Sequence, residues 1–225
     1  MVSFELRIVF DNKCNKQNFL PGFGFSALIY NQFTNKFLLF DTGGNGNILL
    51  HNLHQFKINI SNIEYVVISH NHGDHTGGLK SIYQINPNIK IYIPIKYLKP
   101  FKLAFPDALI FGISEMIEID KNVYSSGQID GNFSSEQALF LKTEENKVII
   151  LVGCAHPGLE FFILKGQQFG VIGAVIGGFH GFRKFSYLNN IDFIGACHCS
   201  QYINNIQQLY PLKFRKVCVG DIFKF

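Results

Sequence analysis

Short apolar runs separated by polar and glycine-rich segments recur along the whole chain. The runs are rich in β-branched and aromatic residues and are too brief for typical helices, which favours buried strands. The pattern predicts strands at Ser3–Phe10, Phe25–Tyr30, Phe37–Asp41, Tyr65–Ser69, Lys90–Pro94, Met116–Ile119, Ala138–Lys142, Val148–Gly153, Val171–Ile176, Asp192–Ala196 and Lys216–Val219.

Helices are predicted where apolar residues recur at helical spacing. These segments are Asn47–Phe56, Gly78–Gln84, Leu159–Gly166 and Gln201–Tyr210. Polar residues between Asn31 and Asn35 predict a hairpin turn between two early strands. No linker or low-complexity stretch is evident, so we expect residues 1–225 to form a single domain.

Three imidazoles and a carboxylate crowd the segment that follows the strand predicted to end at Ser69. They belong to His70, His72, Asp74 and His75, just before the Gly77-Gly78 turn. Neutral imidazole and carboxylate are ligands that zinc, iron and manganese accept, and a short strand-to-helix loop can aim several of them at one point. The segment therefore predicts a metal site.

Three further histidines repeat this arrangement at the ends of later apolar runs. They are His156, His180 and His198. Ligands of α/β proteins gather in the crevice beyond the carboxyl ends of the strands, so we expect these distant histidines to converge on the first cluster.

The spacing His-x-His-x-Asp-His with separate downstream histidines resembles the signature of the metallo-β-lactamase superfamily. Within it, the chain is most similar to the dihydropterin-methyl-ribofuranosylaminobenzene-phosphate synthase-like group. The blocks that carry this resemblance are Asp11-Asn12, Gly22–Ser26, Phe40–Gly43, the histidine cluster, Glu136–Leu139, Gly153–Gly158, Gly177–His180 and His198–Ser200. The resemblance implies a four-layer αββα sandwich with two mixed β-sheets and a two-metal hydrolytic centre.

Carried over residue by residue, the resemblance implies two ligand sets. The first metal would be held by His70, His72 and His156, and the second by Asp74, His75 and His198. His180 stands where most members place an aspartate that bridges both ions, and a neutral imidazole cannot bridge in this way. Three outcomes stay open: His180 ligates one metal, it contacts the substrate, or the second site is weak.

Two further expectations concern charge around this centre. Loss of an anionic bridge leaves the centre more positive, which favours an anionic substrate. The resemblance also suggests that Asp41 is a hydrogen-bond partner of a ligand histidine, although ordinary turn chemistry before Gly43-Gly44 would explain it as well.

We therefore expect a metal-dependent hydrolase with two divalent metal ions, zinc first, with iron or manganese as alternatives. The metals would lower the pKa of bound water from about 15.7 toward about 7, so that hydroxide is the nucleophile and Asp74 is a catalytic residue that orients it. The expected substrate is a phosphorylated or other anionic small-molecule ester, including a synthase reaction on a dihydropterin diphosphate.

Other activities fit the same residues. A phosphodiesterase, lactonase or thioesterase of the same fold would share every ligand. A di-iron redox protein is a different class, but those relatives place glutamate where His72 stands and carry a flavin domain. A non-catalytic protein with structural zinc would need a closed four-ligand shell.

Composition agrees with a compact enzyme. The chain has 225 residues, of which 47% are hydrophobic, and a formal net charge of +4. Its lysines are scattered and form no basic stripe, so no nucleic-acid partner is expected. No run of about eighteen apolar residues predicts a membrane span, and Glu5 and Arg7 interrupt the apolar start, so no signal peptide is expected.

The five cysteines are odd in number and lack Cys-x-x-Cys spacing, which favours a reducing cytoplasmic location. Cys197 and Cys199 flank His198, but on an extended chain both would point to the opposite face. We expect no metal role for them.

Overall fold

The fold is built on two β-sheets, described here from a computed structural model covering residues 2–14 and 16–225. Over these residues the first sheet runs in the order β13, β1, β2, β3, β4, β5, β6. Its strands are β1 (Phe4–Phe10), β2 (Ser26–Asn31), β3 (Lys36–Phe40), β4 (Ile63–Val67), β5 (Lys90–Pro94), β6 (Leu109–Ile113) and β13 (Ile222–Lys224). β13, β1, β2 and β3 pair antiparallel, whereas β3 to β6 are parallel.

The second sheet runs in the order β12, β11, β10, β9, β8, β7. Its strands are β7 (Ile117–Asp120), β8 (Val123–Ser125), β9 (Leu139–Lys142), β10 (Lys147–Val152), β11 (Val171–Gly178) and β12 (Phe193–Cys197). β10, β11 and β12 are parallel, and the remaining pairs are antiparallel. Both sheets are therefore mixed.

The central core lies between the two sheets. Alternate residues of β1, namely Phe4, Leu6 and Ile8, pack in one buried cluster with Leu139 and Leu141 of β9. A strand turns successive side chains to opposite faces, so this period of two sends one set of residues into the space between the sheets. Complete burial of such side chains stabilises the fold by about 1.5–3 kcal/mol each.

Helices cover the outer face of each sheet. They are α1 (Gly46–Gln55), α2 (Gly73–Thr76), α3 (Leu79–Ile85), α4 (Leu98–Ala104), α5 (Leu159–Gly166) and α6 (Ile203–Leu209), with short 3₁₀ turns at Ile60–Asn62, Ile95–Tyr97 and Phe185–Leu188. Leu49 and Leu53 of α1 pack on Leu28 and Leu39 of the first sheet. On the other side, Phe162 of α5 packs against the outer residues of β10. The layers are those of the expected αββα sandwich.

Most predicted elements have observed counterparts shifted by one or two residues, including the hairpin in which Asn31 pairs with Lys36. The strand predicted at Lys216–Val219 is wrong: Val219 makes an isolated bridge to Cys14, and the chain turns at Gly220, whose φ is 93°. The last strand is β13 instead. Sequence analysis also missed β6, β8, α2 and α4. None of the helices in residues 2–14 and 16–225 combines the length and apolar character needed to cross a bilayer.

Candidate metal centre

The carboxyl ends of four strands meet at one edge of the sandwich and carry the predicted site residues there. β4 leads into His70 and His72, and α2 carries Asp74 and His75. β10, β11 and β12 lead to His156, His180 and His198, respectively. Neighbouring imidazole rings in this cluster lie 4.2–5.3 Å apart between centroids. The predicted convergence of the histidines is therefore present.

Backbone strain accompanies these strand ends. Asp41, Ala155, His180 and His198 all adopt left-handed φ angles, between 41° and 57°. Residues other than glycine rarely adopt this conformation, and those that do gather at functional sites, where the surrounding structure holds them in place. Each residue turns the chain just after a strand of the site, namely β3, β10, β11 and β12.

Four of the imidazoles are oriented in the same way, with Nδ1 hydrogen-bonded to an oxygen. The four contacts are His70 to Ser69 Oγ at 2.8 Å, His75 to Asp41 Oδ2 at 2.7 Å, His156 to Glu136 Oε2 at 3.0 Å, and His198 to Asn12 Oδ1 at 3.0 Å. The Ser69 hydroxyl donates to Asp41 Oδ2, so it can only accept from His70. Each Nδ1 is therefore the donor, which makes Nε2 the atom of each ring that can bind a metal.

These Nε2 atoms face the other candidate ligands. His70 Nε2 lies 3.0 Å from His72 Nδ1, and His198 Nε2 lies 3.1 Å from Asp74 Oδ2. Within the described part of the chain, two groups offer ligand atoms that all lie within 4.8 Å of one another. The groups are Asp74, His75, Cys154 and His198, and His70, Cys154 and His156.

The donor set fits divalent zinc. Zinc binds imidazole nitrogen at about 2.0–2.1 Å and thiolate sulfur at about 2.3 Å, so tetrahedral ligands of one ion lie roughly 3.5 Å apart. The distances of 3.0–3.2 Å between donor atoms are close to this spacing before any adjustment. Two adjacent groups of this kind suit two ions.

Burial and neighbouring charges set the protonation of these groups. Burial, then the positive charge on His75, lowers the pKa of His70 well below its usual range. Burial and His156 likewise lower the pKa values of His72 and His180. These three rings are thus neutral at pH 7, the state in which imidazole offers a lone pair to a metal.

Carboxylates set the protonation of the donor group that contains Asp74 and His75. Burial opposes a charge on His75, but Asp41 raises its pKa to about 10. Burial also raises the pKa of Asp74, but hydrogen bonds with His198 and His75 outweigh it and hold that pKa well below its usual range. In the protein without metal a protonated His75 thus lies beside an ionised Asp74, with 3.5 Å between Nε2 and Oδ2, so a cation that binds there would have to displace this proton.

Glu136, a residue to which sequence analysis gave no role, organises the loop after β10. Its Oε1 accepts hydrogen bonds from the backbone nitrogens of Gly153, Cys154 and Ala155 at 2.9–3.0 Å. Its Oε2 accepts from the backbone nitrogen and Nδ1 of His156 at 2.9 and 3.0 Å. Burial raises the pKa of this carboxyl, but the hydrogen bonds that it accepts from the ring and the backbone nitrogen of His156 outweigh burial and lower that pKa well below its usual range.

Two predicted ligands lie at the margin of the donor groups. His72 is outside both groups but contacts His70, and it presents Nδ1 rather than Nε2. His180 is also outside both groups, with its ring centroid 5.3 Å from that of His156. The sequence had already set His180 apart, with three outcomes open, whereas His72 was not distinguished from the other predicted ligands.

Two cysteines near the histidine cluster differ from what the sequence predicted. Cys154 belongs to both donor groups, although no metal role was considered for it. The geometric reason given for Cys199 was wrong, because His198 has a φ of 48° and the chain is not extended there. A hydrogen bond with the Cys199 thiol, together with burial, raises the pKa of Cys154, so the two thiols are neighbours.

Comparison with known proteins shows which family this fold and site define. Residues 20–158 match the model of the metallo-β-lactamase superfamily, and the chain belongs to that superfamily. The resemblance inferred from the motifs is thereby confirmed.

Individual relatives refine this assignment. An uncharacterized protein of Methanocaldococcus jannaschii is 32% identical, over 88% of this chain and 91% of its own length. The 7,8-dihydropterin-6-methyl-4-(β-D-ribofuranosyl)-aminobenzene-5'-phosphate synthase of the same organism is 26% identical, over 91% of this chain and 81% of its own. This relative confirms the resemblance to the synthase-like group.

Among solved structures, a diphosphatase from the PhnP family superposes with a TM-score of 0.69 at 12% identity. The superposition covers 99% of this chain and 97% of that one. The likeness confirms the fold.

Proposed function

We propose that this protein is a metal-dependent hydrolase with a binuclear zinc centre. The observation that carries the proposal is the common orientation of four buried imidazoles, whose Nε2 atoms converge beside an ionised aspartate. Divalent cations held there would supply a water of lowered pKa and positive charge for an oxygen that becomes negative during the reaction. The residues that would hold them are His70, His72 and His156 for one ion, and Asp74, His75 and His198 for the other.

Asp74 is the residue we place closest to the reaction. Its carboxylate contacts His198 Nε2 at 3.1 Å and lies 3.5 Å from His75 Nε2. Its side chain keeps 18% of its surface exposed, whereas His75 and His198 are fully buried. Asp74 can therefore hold a cation and also orient an attacking oxygen that arrives from solvent.

An adjacent cavity of about 320 Å³ is the substrate site we propose. This volume suits a small molecule. Its lining includes His156, Phe179, His180, Arg183 and the ion-paired Lys184 and Glu160. The guanidinium of Arg183 and the aromatic surface beside the metal centre fit an anionic ester, with His180 as a neutral hydrogen-bonding contact for the substrate.

A transfer reaction on a phosphorylated pterin is the second candidate function. It is supported by the relative of 26% identity that is named as a pterin phosphate synthase and that matches 91% of this chain. Such a substrate would also be anionic and aromatic, so the same cavity would serve. The hydrolase and the transfer reaction then differ in the nucleophile, which is water in the first and a second organic substrate in the other.

The test combines metal analysis with assays on defined substrates. Purified protein would be analysed for bound metals and assayed with phosphodiester, phosphomonoester, thioester and lactone probes and with a dihydropterin diphosphate. His72→Ala should abolish turnover. His54→Ala is the matched control, because His54 is exposed on α1. Protein without bound metal, or turnover that His72→Ala leaves unchanged, would overturn the proposal.

A further inference from the structure

Cys154 occupies a position that no other described residue shares, since its sulfur belongs to both donor groups. Its Sγ lies 3.2 Å from His75 Nε2, and it is grouped with His70 and His156 on the other side. We propose that Cys154 is a metal ligand and that its thiolate bridges the two cations. This inference rests on the metal centre proposed above.

The charge balance of the centre supports a second anionic ligand. Two divalent cations bring four positive charges into a largely buried site. Asp74 is the single carboxylate in the two donor groups, and the other members besides Cys154 are imidazoles. Asp41 and Glu136 lie one shell further out, behind His75 and His156. A thiolate between the cations would compensate charge where it is greatest, and its proton would leave to solvent when the cations bind.

The geometry also suits sulfur better than the imidazole of His180. A neutral imidazole has one lone pair for a metal, because its other nitrogen carries a proton. A thiolate sulfur has three lone pairs and can bind two ions at once. Since His180 lies outside both groups, Cys154 is the described residue placed to provide the bridge.

The loop holds Cys154 in this position firmly. Its backbone nitrogen donates to Glu136 Oε1 at 2.9 Å, and its neighbours Gly153 and Ala155 donate to the same oxygen. The residue is only 3% exposed, so the sulfur has little freedom to turn away. A ligand fixed in this way loses little entropy on binding a metal.

A bridging thiolate has a consequence for metal choice. Soft sulfur ligands favour zinc and other late transition metals over manganese and magnesium, which prefer oxygen. We therefore expect the centre to select zinc or iron(II) and to reject manganese.

Cobalt(II) substitution tests the proposal independently of activity. Cobalt replaces zinc, and sulfur ligation gives it an intense charge-transfer absorption in the near ultraviolet, which nitrogen and oxygen ligands do not. The wild-type protein should bind two cobalt ions and display this band. Cys154→Ser should lose the band and the tighter binding of the second ion, whereas Cys154→Asp should restore two bound ions without the band.

Cys199→Ser is the matched control, because it removes a neighbouring thiol that belongs to neither donor group. It should keep the band, and circular dichroism checks that each variant is folded. Two bound cobalt ions without a band in the wild type, or a band that Cys199→Ser removes and Cys154→Ser keeps, would overturn the bridge alone. If the wild type binds no cobalt, the bridge and the hydrolytic centre fail together.

Discussion

Asp41 Oδ2 lies 2.7 Å from His75 Nδ1, and both side chains are fully buried. The same carboxylate accepts hydrogen bonds from the Ser69 backbone nitrogen and hydroxyl, each at 2.7 Å. Asp41 therefore fixes the orientation of His75 directly and that of His70 through Ser69, so that one buried anion positions a histidine of each donor group.

Replacing this anion should weaken the centre without removing a ligand. In Asp41→Asn the side-chain amide supplies one acceptor oxygen where the carboxylate supplies two, so His75 or Ser69 loses its partner. Loss of such an outer-shell contact typically costs about 10–100-fold in metal affinity. Competition with a chelator would measure this change for zinc.

The matched control is Asp107→Asn, which makes the same chemical change at an exposed residue. It should leave zinc affinity as it is. Equal affinity in the two variants would contradict the role assigned to Asp41.

Glu136 should matter for folding as well as for the site. Five hydrogen bonds converge on its carboxylate, four of them from consecutive backbone nitrogens. In Glu136→Gln the side-chain amide nitrogen, itself a donor, would face N–H groups that now donate to the carboxylate. Some of these buried N–H groups would then have no acceptor. We expect a loss of about 3–5 kcal/mol in the free energy of unfolding.

Urea denaturation of the protein without metal measures this effect separately from metal affinity. Glu145→Gln, at an exposed position on the turn before β10, is the control and should change stability by less than about 0.5 kcal/mol. A Glu136→Gln midpoint equal to that of the control would refute the role of the carboxylate in the loop.

Much of the fold could be predicted because a strand with one buried face alternates apolar and polar residues. Phe4, Leu6 and Ile8 alternate with more polar residues, and the cluster from His70 to His75 has a spacing specific enough to identify the superfamily. The strand at Lys216–Val219 was mispredicted because its apolar residues are buried although they belong to an irregular segment that ends at Gly220. Apolar content alone does not distinguish a buried strand from a buried irregular segment.

The parts of the site that escaped prediction depend on contacts between distant residues. Glu136 reaches His156, and Asn12 reaches His198 across 186 positions. Cys154 precedes His156 by two residues, but its role depends on a contact with His75. The left-handed turn at His198 also overturned the assumption of an extended chain. Such geometry follows from packing rather than from local spacing.

Glycine is required at position 153 because the segments that follow β4 and β10 lie close together there. A Cβ at this position would lie 2.1 Å from Ser69 Oγ and 3.1 Å from Asp41 Oδ2. Gly153→Ala should push Ser69 away from Asp41 and His70 and destabilise the protein by about 1–3 kcal/mol. Thermal unfolding of the protein without metal would measure the loss.

The matched control is Gly73→Ala, because nothing lies within 4 Å of a Cβ added at the first residue of α2. There alanine should be neutral or stabilise by up to about 1 kcal/mol, as it does at helical positions. If both substitutions lowered the melting temperature equally, crowding at Ser69 would not be the cause.

Removal of metal should destabilise the protein. A ligand present at about 1,000 times its Kd stabilises the native state by about 4 kcal/mol, and in a chain of this size each kcal/mol shifts Tm by about 2–4 °C. We therefore expect a chelator to lower Tm by roughly 10 °C and added zinc to restore it. An unchanged Tm on chelation of metal-loaded protein would argue against a resident metal.

Arg183 should select anionic substrates. It lines the cavity beside His180, and its guanidinium lies over the Tyr202 ring, 4.5 Å from the centroid, a contact that restricts its movement. Lys184 lines the same cavity, but its Nζ is 2.7 Å from Glu160 Oε1, so its charge is already compensated. Arg183→Ala should raise KM for an anionic ester by about tenfold, equivalent to about 1.4 kcal/mol, with little change in kcat.

Paired assays separate charge recognition from a general disturbance of the cavity. Lys184→Ala changes a neighbouring cation of the same cavity, and we expect a smaller rise in KM because Glu160 neutralises this lysine. A neutral ester of similar size should show the same KM in the wild type and in Arg183→Ala. An equal rise for neutral and anionic esters would mean that Arg183 shapes the cavity without reading charge, and the preference for anionic substrates would then have to come from the metal centre itself.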